Sequence, residues 1–556
     1  MDERYIASID LGTSKIAVTV AQVNNQDVQV IYYKERPSQG IRNTMIFNPK
    51  KVSIPVCEAI REAQDELKIQ ILQVVVGLPR YYVRQETATA ELPRSDQESS
   101  ITQEEINYLK SNAGESYPLE DDARETIYGI VPQSFSADDY IQALESEIEG
   151  MVSSTLQGNF KVYIGNRRAS SNVDLVMNNA NLAAASKLFL PEVVAKAVLT
   201  TEEKENGVAL VEIGAGATSV SIYHKKTLRY YASIPFGGNS VTNDIRSECG
   251  ISDSLAENIK LAYGACLPEK LLTLRDKIIQ IDNKVSGRQT QISVKYLSET
   301  ITARMREIIE AILYLIEDSG MADSLLSGVV ITGGGANLPN LHTMIKDMSG
   351  YSTRIGFTLS HRFSYSGCSG VAAPEAAASI GMILTAKEDT NLNCLSGPVP
   401  KEPEIEEEEE EEETEVVTGE TVDVEAGEPE AAGGNGEGMA AAAEVTKAPA
   451  EQDGSDQAAA QVAAQTATEP AAEEKQEKSL SQLFSGDEYV QVDVKSRKEK
   501  EKEKEKERKR REKEEKKKNK PTPIFWTRAK AGLGKVWNSA ETLFNSVYDM
   551  TEDSNE

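Results

Sequence analysis

Two short and largely apolar runs, 5–8 and 16–20, lie on either side of a glycine-containing turn near the start of the chain. Runs rich in β-branched residues are typical of buried strands. The same order returns about 200 residues later, where the runs 210–213 and 219–223 flank a second glycine-rich turn. The pattern predicts two strand–turn–strand units, one at the head of each half of the chain.

Helical periodicity fills several of the intervals between predicted strands. Apolar residues recur every three or four positions over 52–67 and again over 298–317, so we expect an amphipathic helix in each segment. We expect further strands at 28–33, 73–77, 182–185 and 329–332, and a helix at 191–199. In the segment 85–163, a capping box at Thr102–Glu105 predicts a helix start, and 125–131 and 160–164 are predicted strands.

Composition changes sharply beyond residue 395. The net charge of the chain is −29, which argues against a nucleic-acid binder. Residues 396–478 contain 25 acidic and 4 basic residues, whereas residues 495–520 contain 16 basic and 8 acidic residues. A segment with so little apolar surface cannot offset its ordering entropy. We therefore predict a disordered acidic linker over 396–494, followed by a basic charged segment over 495–520.

A final amphipathic segment, 521–549, contains both tryptophans of the chain. One interpretation is a helix that packs on the protein's own core. We favour a helix on an anionic membrane surface, because a long polar linker precedes it and a basic run lies beside it. The predicted membrane-binding side chains share one side of this helix; they are Phe525, Trp526, Leu533, Val536, Trp537, Leu543, Phe544 and Val547.

The candidate chemistry lies in three glycine loops, each of which follows a predicted strand. Glycine lets backbone amides approach an anion, and a carboxylate at a strand end can hold hydrated Mg²⁺. The first loop comprises Asp10, Gly12, Thr13, Ser14 and Lys15. The second comprises Glu212, Gly214, Ala215, Gly216, Ala217 and Thr218, and the third comprises Gly333, Gly334, Gly335 and Asn337.

Over roughly residues 1–395, these loops resemble the first phosphate, second phosphate and adenosine motifs of the actin/Hsp70/sugar-kinase superfamily. More narrowly, the chain resembles the FtsA family of bacterial cell-division proteins. The resemblance implies an α/β, two-lobed actin-like ATPase fold with an inserted α+β subdomain, a long linker and a C-terminal amphipathic helix. It also implies that ATP and Mg²⁺ bind in the cleft, with Asp10 and Glu212 holding the metal through water.

The same resemblance assigns Glu257 and Lys260 to the ribose and adenine. Their spacing of three residues on a predicted helix equally fits a surface ion pair. The family pattern has Asp where this chain has Glu212, and it often has Gly at Ala215. A misplacement near 1 Å can cost about 100-fold in rate, so we expect slow or no ATP hydrolysis.

The resemblance also implies a domain organisation. Its parts are lobe 1 (1–84 and 164–200), an inserted subdomain 1C (85–163), lobe 2 (201–370) with subdomain 2B at about 250–325, and a closing helix (371–395). The segment 374–386 resembles this closing helix. In such proteins subdomain 1C contacts neighbouring subunits and other division proteins; a structural insertion without a partner is the alternative. A basic helix of 2B, here carrying Lys295, Arg304 and Arg306, docks the C-terminal tail of FtsZ; a solvated charged face is the alternative.

The implied function is a peripheral protein at the cytoplasmic face of the inner membrane that polymerises, binds other divisome proteins and tethers the FtsZ ring at the division site. A small-molecule kinase of the superfamily would need a carboxylate base for its substrate. Such a kinase would also have no use for the C-terminal segment. An actin-like scaffold of cell shape or pilus assembly lacks a terminal helix on a long linker. Five scattered cysteines, without a C-x-x-C pair, predict reduced thiols.

Overall fold

The first sheet begins with the predicted strand–turn–strand unit. A computed structural model describes residues 4–24, 27–94, 98–138, 141–283, 288–396 and 488–494 of the chain. The first elements are β1 (Arg4–Leu11), β2 (Lys15–Val23), β3 (Val28–Pro37), β4 (Ile41–Arg42), β5 (Met45–Ile46), α1 (Pro49–Leu67) and β6 (Gln73–Gly77). β1 pairs antiparallel with β2 and parallel with β6. The glycine turn that follows β1 therefore lies at the C-terminal ends of β1 and β6.

A separate four-stranded sheet follows as an insertion. Its elements are β7 (Arg84–Pro93), α2 (Gln103–Glu115), β8 (Glu125–Ala137), β9 (Ile141–Ala143), α3 (Glu145–Ile148) and β10 (Thr155–Asn166), with the sheet order β7-β10-β8-β9. The predicted capping box is present: the Thr102 hydroxyl accepts from the Glu105 amide, and the Glu105 carboxylate accepts from the Thr102 amide. The insertion has its own core, in which the rings of Phe135 and Phe160 lie edge to face.

The chain then returns to the first sheet and enters the second half. The connecting elements are α4 (Arg167–Asn179), β11 (Ala183–Leu188), α5 (Leu190–Val198) and α6 (Thr201–Asn206). The second sheet begins with β12 (Val208–Ile213), β13 (Thr218–His224) and β14 (Thr227–Ile234), and the helices α7 (Gly238–Cys249) and α8 (Asp253–Tyr263) follow. Val208 and Leu210 pack in one core while Ala209 and Val211 pack in another, so both faces of β12 are buried.

The remaining elements complete the second half. They are β15 (Lys277–Asn283), β16 (Arg288–Ser293), α9 (Val294–Asp318), β17 (Val329–Thr332), α10 (Leu341–Ser349), β18 (Thr353–Ile355), β19 (Ser364–Tyr365) and α11 (Ala377–Ala386). α9 buries the predicted apolar stripe, including Ile301, Ile308 and Ile312. A 3-10 turn at Pro374–Ala376 precedes α11, which packs closely on α5 at Gly381.

The two large sheets repeat one topology. The first has the order β11-β6-β1-β2-β3-β19 and the second has the order β14-β13-β12-β17-β18. In each, three antiparallel strands that follow one another in the chain join two parallel strands on one side, and these two enter through helical connections. The first sheet has one more strand, β19, which pairs parallel with β3. The sequence-based prediction of an α/β fold with two similar halves is confirmed.

One strand lies where the sequence predicts linker. β20 (Glu488–Val494) pairs antiparallel with β15 along its whole length, from Lys277 opposite Val494 to Asn283 opposite Glu488. The predicted disordered linker extended to 494, and the structure differs at this end. Apolar residues alternate with polar ones over 490–494, and this period of two is the pattern of a strand.

Within the described residues, no helix is long and apolar enough to cross a membrane.

Candidate functional site

The glycine turns at the heads of the two sheets share one hydrogen-bonding geometry. The Gly12 amide donates to the Lys15 carbonyl at 3.0 Å, and the Gly214 amide donates to the Ala217 carbonyl at 2.9 Å. A Cβ on Gly12 would lie 2.6 Å from the Lys15 carbonyl oxygen, so only glycine fits there. The repeat that the sequence predicts is therefore a repeat in three dimensions.

The two turns contact each other across the boundary between the sheets. A Cβ on Gly216 would lie 2.6 Å from the Thr13 hydroxyl and 2.9 Å from the Asn43 amide nitrogen. The Thr13 hydroxyl accepts a hydrogen bond from the Thr44 amide at 3.0 Å, and the Ser14 side chain is exposed. The structure therefore brings the first and second predicted phosphate loops together.

A second layer of loops packs behind the Gly214 turn. The Gly238 amide donates to the Gly214 carbonyl at 2.9 Å, and the Asn239 amide donates to the Ala215 carbonyl at 2.8 Å. The Lys260 ammonium donates to the Gly238 carbonyl at 3.2 Å and to the Glu257 carboxylate at 2.7 Å. The Glu257–Lys260 pair predicted for ribose and adenine thus lies beside the second phosphate loop.

The Thr242 hydroxyl joins this pair, because it receives a hydrogen bond from the Lys260 ammonium at 2.8 Å and donates to Glu257. Sequence reasoning did not single out Thr242, although it lies one helical turn after the Gly238 loop. Lys260 is the less exposed partner, at 13% against 39% for Glu257. The ion pair is therefore more than a surface pair, since it anchors the loop at the start of α7.

The third glycine loop reaches the same place from β17. Gly333 has a φ of +81°, which favours glycine, and a Cβ there would lie 2.7 Å from the Ile213 carbonyl oxygen. Gly335 packs against the Ile213 side chain. By contrast, Gly334 is exposed, and a Cβ on it would meet no atom within 4 Å. The Asn337 amide donates to Glu375 at 2.6 Å, which ties the loop to the turn before α11.

Two predicted phosphate-loop side chains have partners within the protein. The Thr218 hydroxyl is fully buried and donates to the Phe236 carbonyl at 2.8 Å. The Lys15 ammonium pairs with Glu35 at 2.5 Å. Their predicted roles toward a phosphate stay predictions. Ala217 is buried in the turn.

The predicted metal-holding carboxylates lie on either side of an arginine. Asp10 and Glu212 are the penultimate residues of the central strands β1 and β12, and Arg80 reaches between them from the loop after β6. The Arg80 Nε lies 2.9 Å from Glu212, and its Nη2 lies 3.6 Å from Asp10. All three side chains are 12–14% exposed. Burial raises the pKa of the Glu212 carboxyl above its ordinary value, and the charge of Arg80 opposes that rise.

Oxygen ligands suit Mg²⁺, but the carboxylates are oriented toward a guanidinium in this arrangement. A water-held ion between Asp10 and Glu212 fits only if Arg80 leaves, so the present positions do not fit a metal. Among the described residues there is no group of three or more His, Cys, Asp or Glu that could hold a metal ion. Sequence reasoning missed Arg80, and its only signal was its place just after the buried strand β6 and a Leu-Pro turn.

The predicted partner-binding residues lie on α9, and they differ in availability. Arg304 forms two hydrogen bonds with Asp244, at 2.5 and 2.9 Å, and also pairs with Glu307. The Lys295 side chain is only 12% exposed and lies 3.8 Å from Glu299. Arg306 is exposed. The FtsZ-tail site stays a prediction, and Arg306 is its most accessible member.

The predicted membrane-binding side chains, from Phe525 to Val547, lie outside the described residues, as does the basic segment 495–520.

All five cysteines are described and free, so no disulfide joins them. The predicted reduced thiols agree with this.

The duplicated sheets, with paired glycine turns at their heads and a third glycine loop beside the second turn, define an actin-like α/β protein. Residues 209–381 match the family model described as Cell division protein FtsA. The chain is 27% identical over 401 residues to Cell division protein FtsA of Borreliella burgdorferi, covering 71% of this chain and 94% of that protein. These matches relate the chain to Cell division protein FtsA.

Two further relatives are also FtsA proteins. Identity to Cell division protein FtsA is 27% over 348 residues for Enterococcus hirae (62% of this chain, 77% of that protein) and 26% over 367 residues for Escherichia coli K12 (64% and 85%). Among solved structures, the type IV pilus biogenesis complex PilM-PilN matches at TM-score 0.49 and 16% identity, covering 69% of this chain and 98% of that one. MreB5 of Spiroplasma citri bound to ADP matches at 0.38 and 14%, with coverages of 69% and 98%. Because both scores lie below 0.5, the fold assignment rests on the sheet topology instead.

Proposed function

We propose that this protein is an actin-like, ATP-binding cell-division protein that holds the FtsZ ring at the cytoplasmic face of the membrane. The observation that carries the nucleotide part is the convergence of three glycine loops on the Gly214 turn, in a chain related to FtsA. Phosphates would lie against the Gly12 and Gly214 turns. The adenosine would lie between the Glu257–Lys260 pair and the exposed Gly334.

Hydrolysis is proposed to be slow. The Glu212 carboxylate is held by Arg80 at 2.9 Å, so it is not free to orient a water molecule. Isothermal calorimetry of the full-length chain with ATP tests binding, and release of phosphate over hours tests turnover. Saturable binding with little phosphate release is the expected result. If no ATP binds with or without Mg²⁺, the nucleotide part of the proposal is wrong.

The tethering part rests on two segments. The exposed Arg306 and its neighbours on α9 offer cationic contacts to the FtsZ tail, because charge complementarity steers a flexible peptide. The segment 521–549 would hold the membrane, since its apolar side chains and the adjacent basic run suit an anionic surface. Polymerisation and contacts of the insertion with other divisome proteins belong to the same proposal.

The insertion is physically linked to the second half of the chain. The Gln133 amide donates to the Leu228 carbonyl at 2.9 Å, and Arg229 donates to the Gln133 carbonyl at 2.9 Å. A partner bound on the insertion would therefore act on β14, which is an edge strand of the second sheet. This link supports a contact role better than it supports an insertion without a partner.

A further inference from the structure

Three charged side chains are enclosed at the point where the heads of the two sheets meet. Arg80 lies between Asp10 and Glu212, at 3.6 and 2.9 Å, and none of the three is more than 14% exposed. A buried carboxylate is costly to leave unpaired. Here the Arg80 guanidinium is next to both carboxylates, so one cation balances part of the charge of each.

The backbone around Arg80 is held on both sides. The Tyr231 hydroxyl donates to the Arg80 carbonyl at 2.5 Å, and the amide of the next residue, Tyr81, donates to the Thr44 hydroxyl at 3.2 Å. Tyr231 belongs to the second sheet and Thr44 to the loop that contacts Thr13. The backbone that carries the Arg80 side chain is therefore held by the second sheet and by the loop next to the first glycine turn.

We propose that Arg80 is the resident cation of this cleft and takes the place that a carboxylate-bound Mg²⁺ would otherwise have. A guanidinium stays charged at any physiological pH and presents several donors in a fixed plane. A divalent ion held by Asp10 and Glu212 would stand next to this positive charge, and the two would repel. The carboxylate pair therefore binds no metal while Arg80 is in place, and nucleotide affinity depends little on Mg²⁺.

The metal half of the test uses Mn²⁺ alone as the probe, on the nucleotide-free full-length chain. Electron paramagnetic resonance titration should show no tight Mn²⁺ site in the parent protein. Arg80→Ala should gain one site, and the double variant Arg80→Ala/Asp10→Asn should lose it again. Weak binding by the acidic run 406–413 is common to all variants and cancels in the comparison. A tight site in the parent that Asp10→Asn removes would overturn the proposal.

The nucleotide half rests on the proposed function. A fluorescent ATP analogue should bind the parent protein with less than threefold change in affinity between Mg²⁺ and EDTA, whereas Arg80→Ala should weaken at least tenfold in EDTA. Arg80→Lys keeps the charge and should behave like the parent. If the parent loses tenfold or more in EDTA, the inference is wrong while ATP binding stands. If no nucleotide binds in any condition, the proposed function fails and the Mn²⁺ result still decides the role of Arg80.

Arg80→Ala leaves two enclosed carboxylates without a partner and could prevent folding. Circular dichroism and thermal unfolding of each variant precede the titrations. Should Arg80→Ala not fold, Arg80→Gln keeps a polar side chain between the two carboxylates but removes the cation. Arg80→Gln should then gain one Mn²⁺ site, and no gain would overturn the proposal. The measurements on the parent protein need no variant at all.

Discussion

Gly334 and Gly335 are neighbours with opposite surroundings, and they therefore separate ligand binding from folding. A Cβ on Gly335 would lie 2.3 Å from the Ile213 Cγ2 and 3.0 Å from its carbonyl oxygen, whereas a Cβ on Gly334 would meet nothing within 4 Å. Overpacking of this kind typically costs about 1–3 kcal/mol. A surface substitution without such contacts is usually within about 0.5 kcal/mol.

Gly334→Leu should therefore unfold at nearly the same temperature as the parent protein, and Gly335→Leu should unfold several degrees lower. If adenosine lies over Gly334, the new side chain occupies part of its place. A tenfold loss of ATP affinity corresponds to about 1.4 kcal/mol, and we expect at least that loss for Gly334→Leu.

Calorimetric titration with ATP and thermal unfolding without ligand are measured on the same samples. Ala303→Leu is the matched control, since it adds the same side chain to an exposed position of α9 and should change neither quantity. A Gly334→Leu protein that is folded and binds ATP as tightly as the parent would refute the placement of the adenosine.

Two further predictions concern α9 and β20. Arg306→Glu should weaken binding of an FtsZ tail peptide, measured by fluorescence anisotropy, without lowering the unfolding temperature, because Arg306 is exposed; Arg304→Glu should also destabilise the fold, by up to about 1 kcal/mol, since it loses Asp244. Unchanged peptide affinity in Arg306→Glu would count against this site. Val492→Pro should reduce hydrogen-exchange protection of those amides of Lys277–Asn283 that face β20, because proline cannot donate in the ladder, while the amides that face β16 stay protected. Unchanged exchange throughout Lys277–Asn283 would contradict the pairing of β20 with β15.

The β20 pairing also changes the reach of the proposed membrane-binding segment. A chain spans at most about 3.5 Å per residue, so the 26 residues of 495–520 reach at most about 90 Å. The sequence predicted a longer tether, 396–520, whose reach would be counted from residue 395 and not from the end of β20. With β20 paired to β15, the proposed membrane-binding segment 521–549 would begin at most about 90 Å from β20.

The elements that the sequence predicted well are those whose signals are local. Strands such as β1 and β12 are short β-branched runs bounded by glycine, and the helix start at Thr102 carries both halves of its capping box. The glycines also predicted the positions of the three loops. At Gly12 and Gly216 the structure gives the reason, because neighbouring atoms lie too close for a Cβ. Such signals need no knowledge of distant residues.

What the sequence could not supply are pairings between distant parts of the chain. Arg80 and Glu212 are 132 residues apart, and nothing near either one indicates the other. Arg304 had the pattern of a solvated cation, yet Asp244, on another helix, holds it. The alternation of β20 was hidden because a strongly charged segment adjoins it, and composition dominated the interpretation there.

Co-sedimentation with liposomes tests the tethering proposal most directly. Full-length protein and the FtsZ protein are spun together with anionic vesicles, beside a chain without residues 521–556 and a Trp526→Glu/Trp537→Glu variant. We predict that FtsZ pellets with the vesicles only when the intact chain is present, and that both variants leave it in the supernatant while they still bind ATP. If the truncated chain carries FtsZ to the vesicles as well as the intact chain does, the proposed membrane tether is wrong.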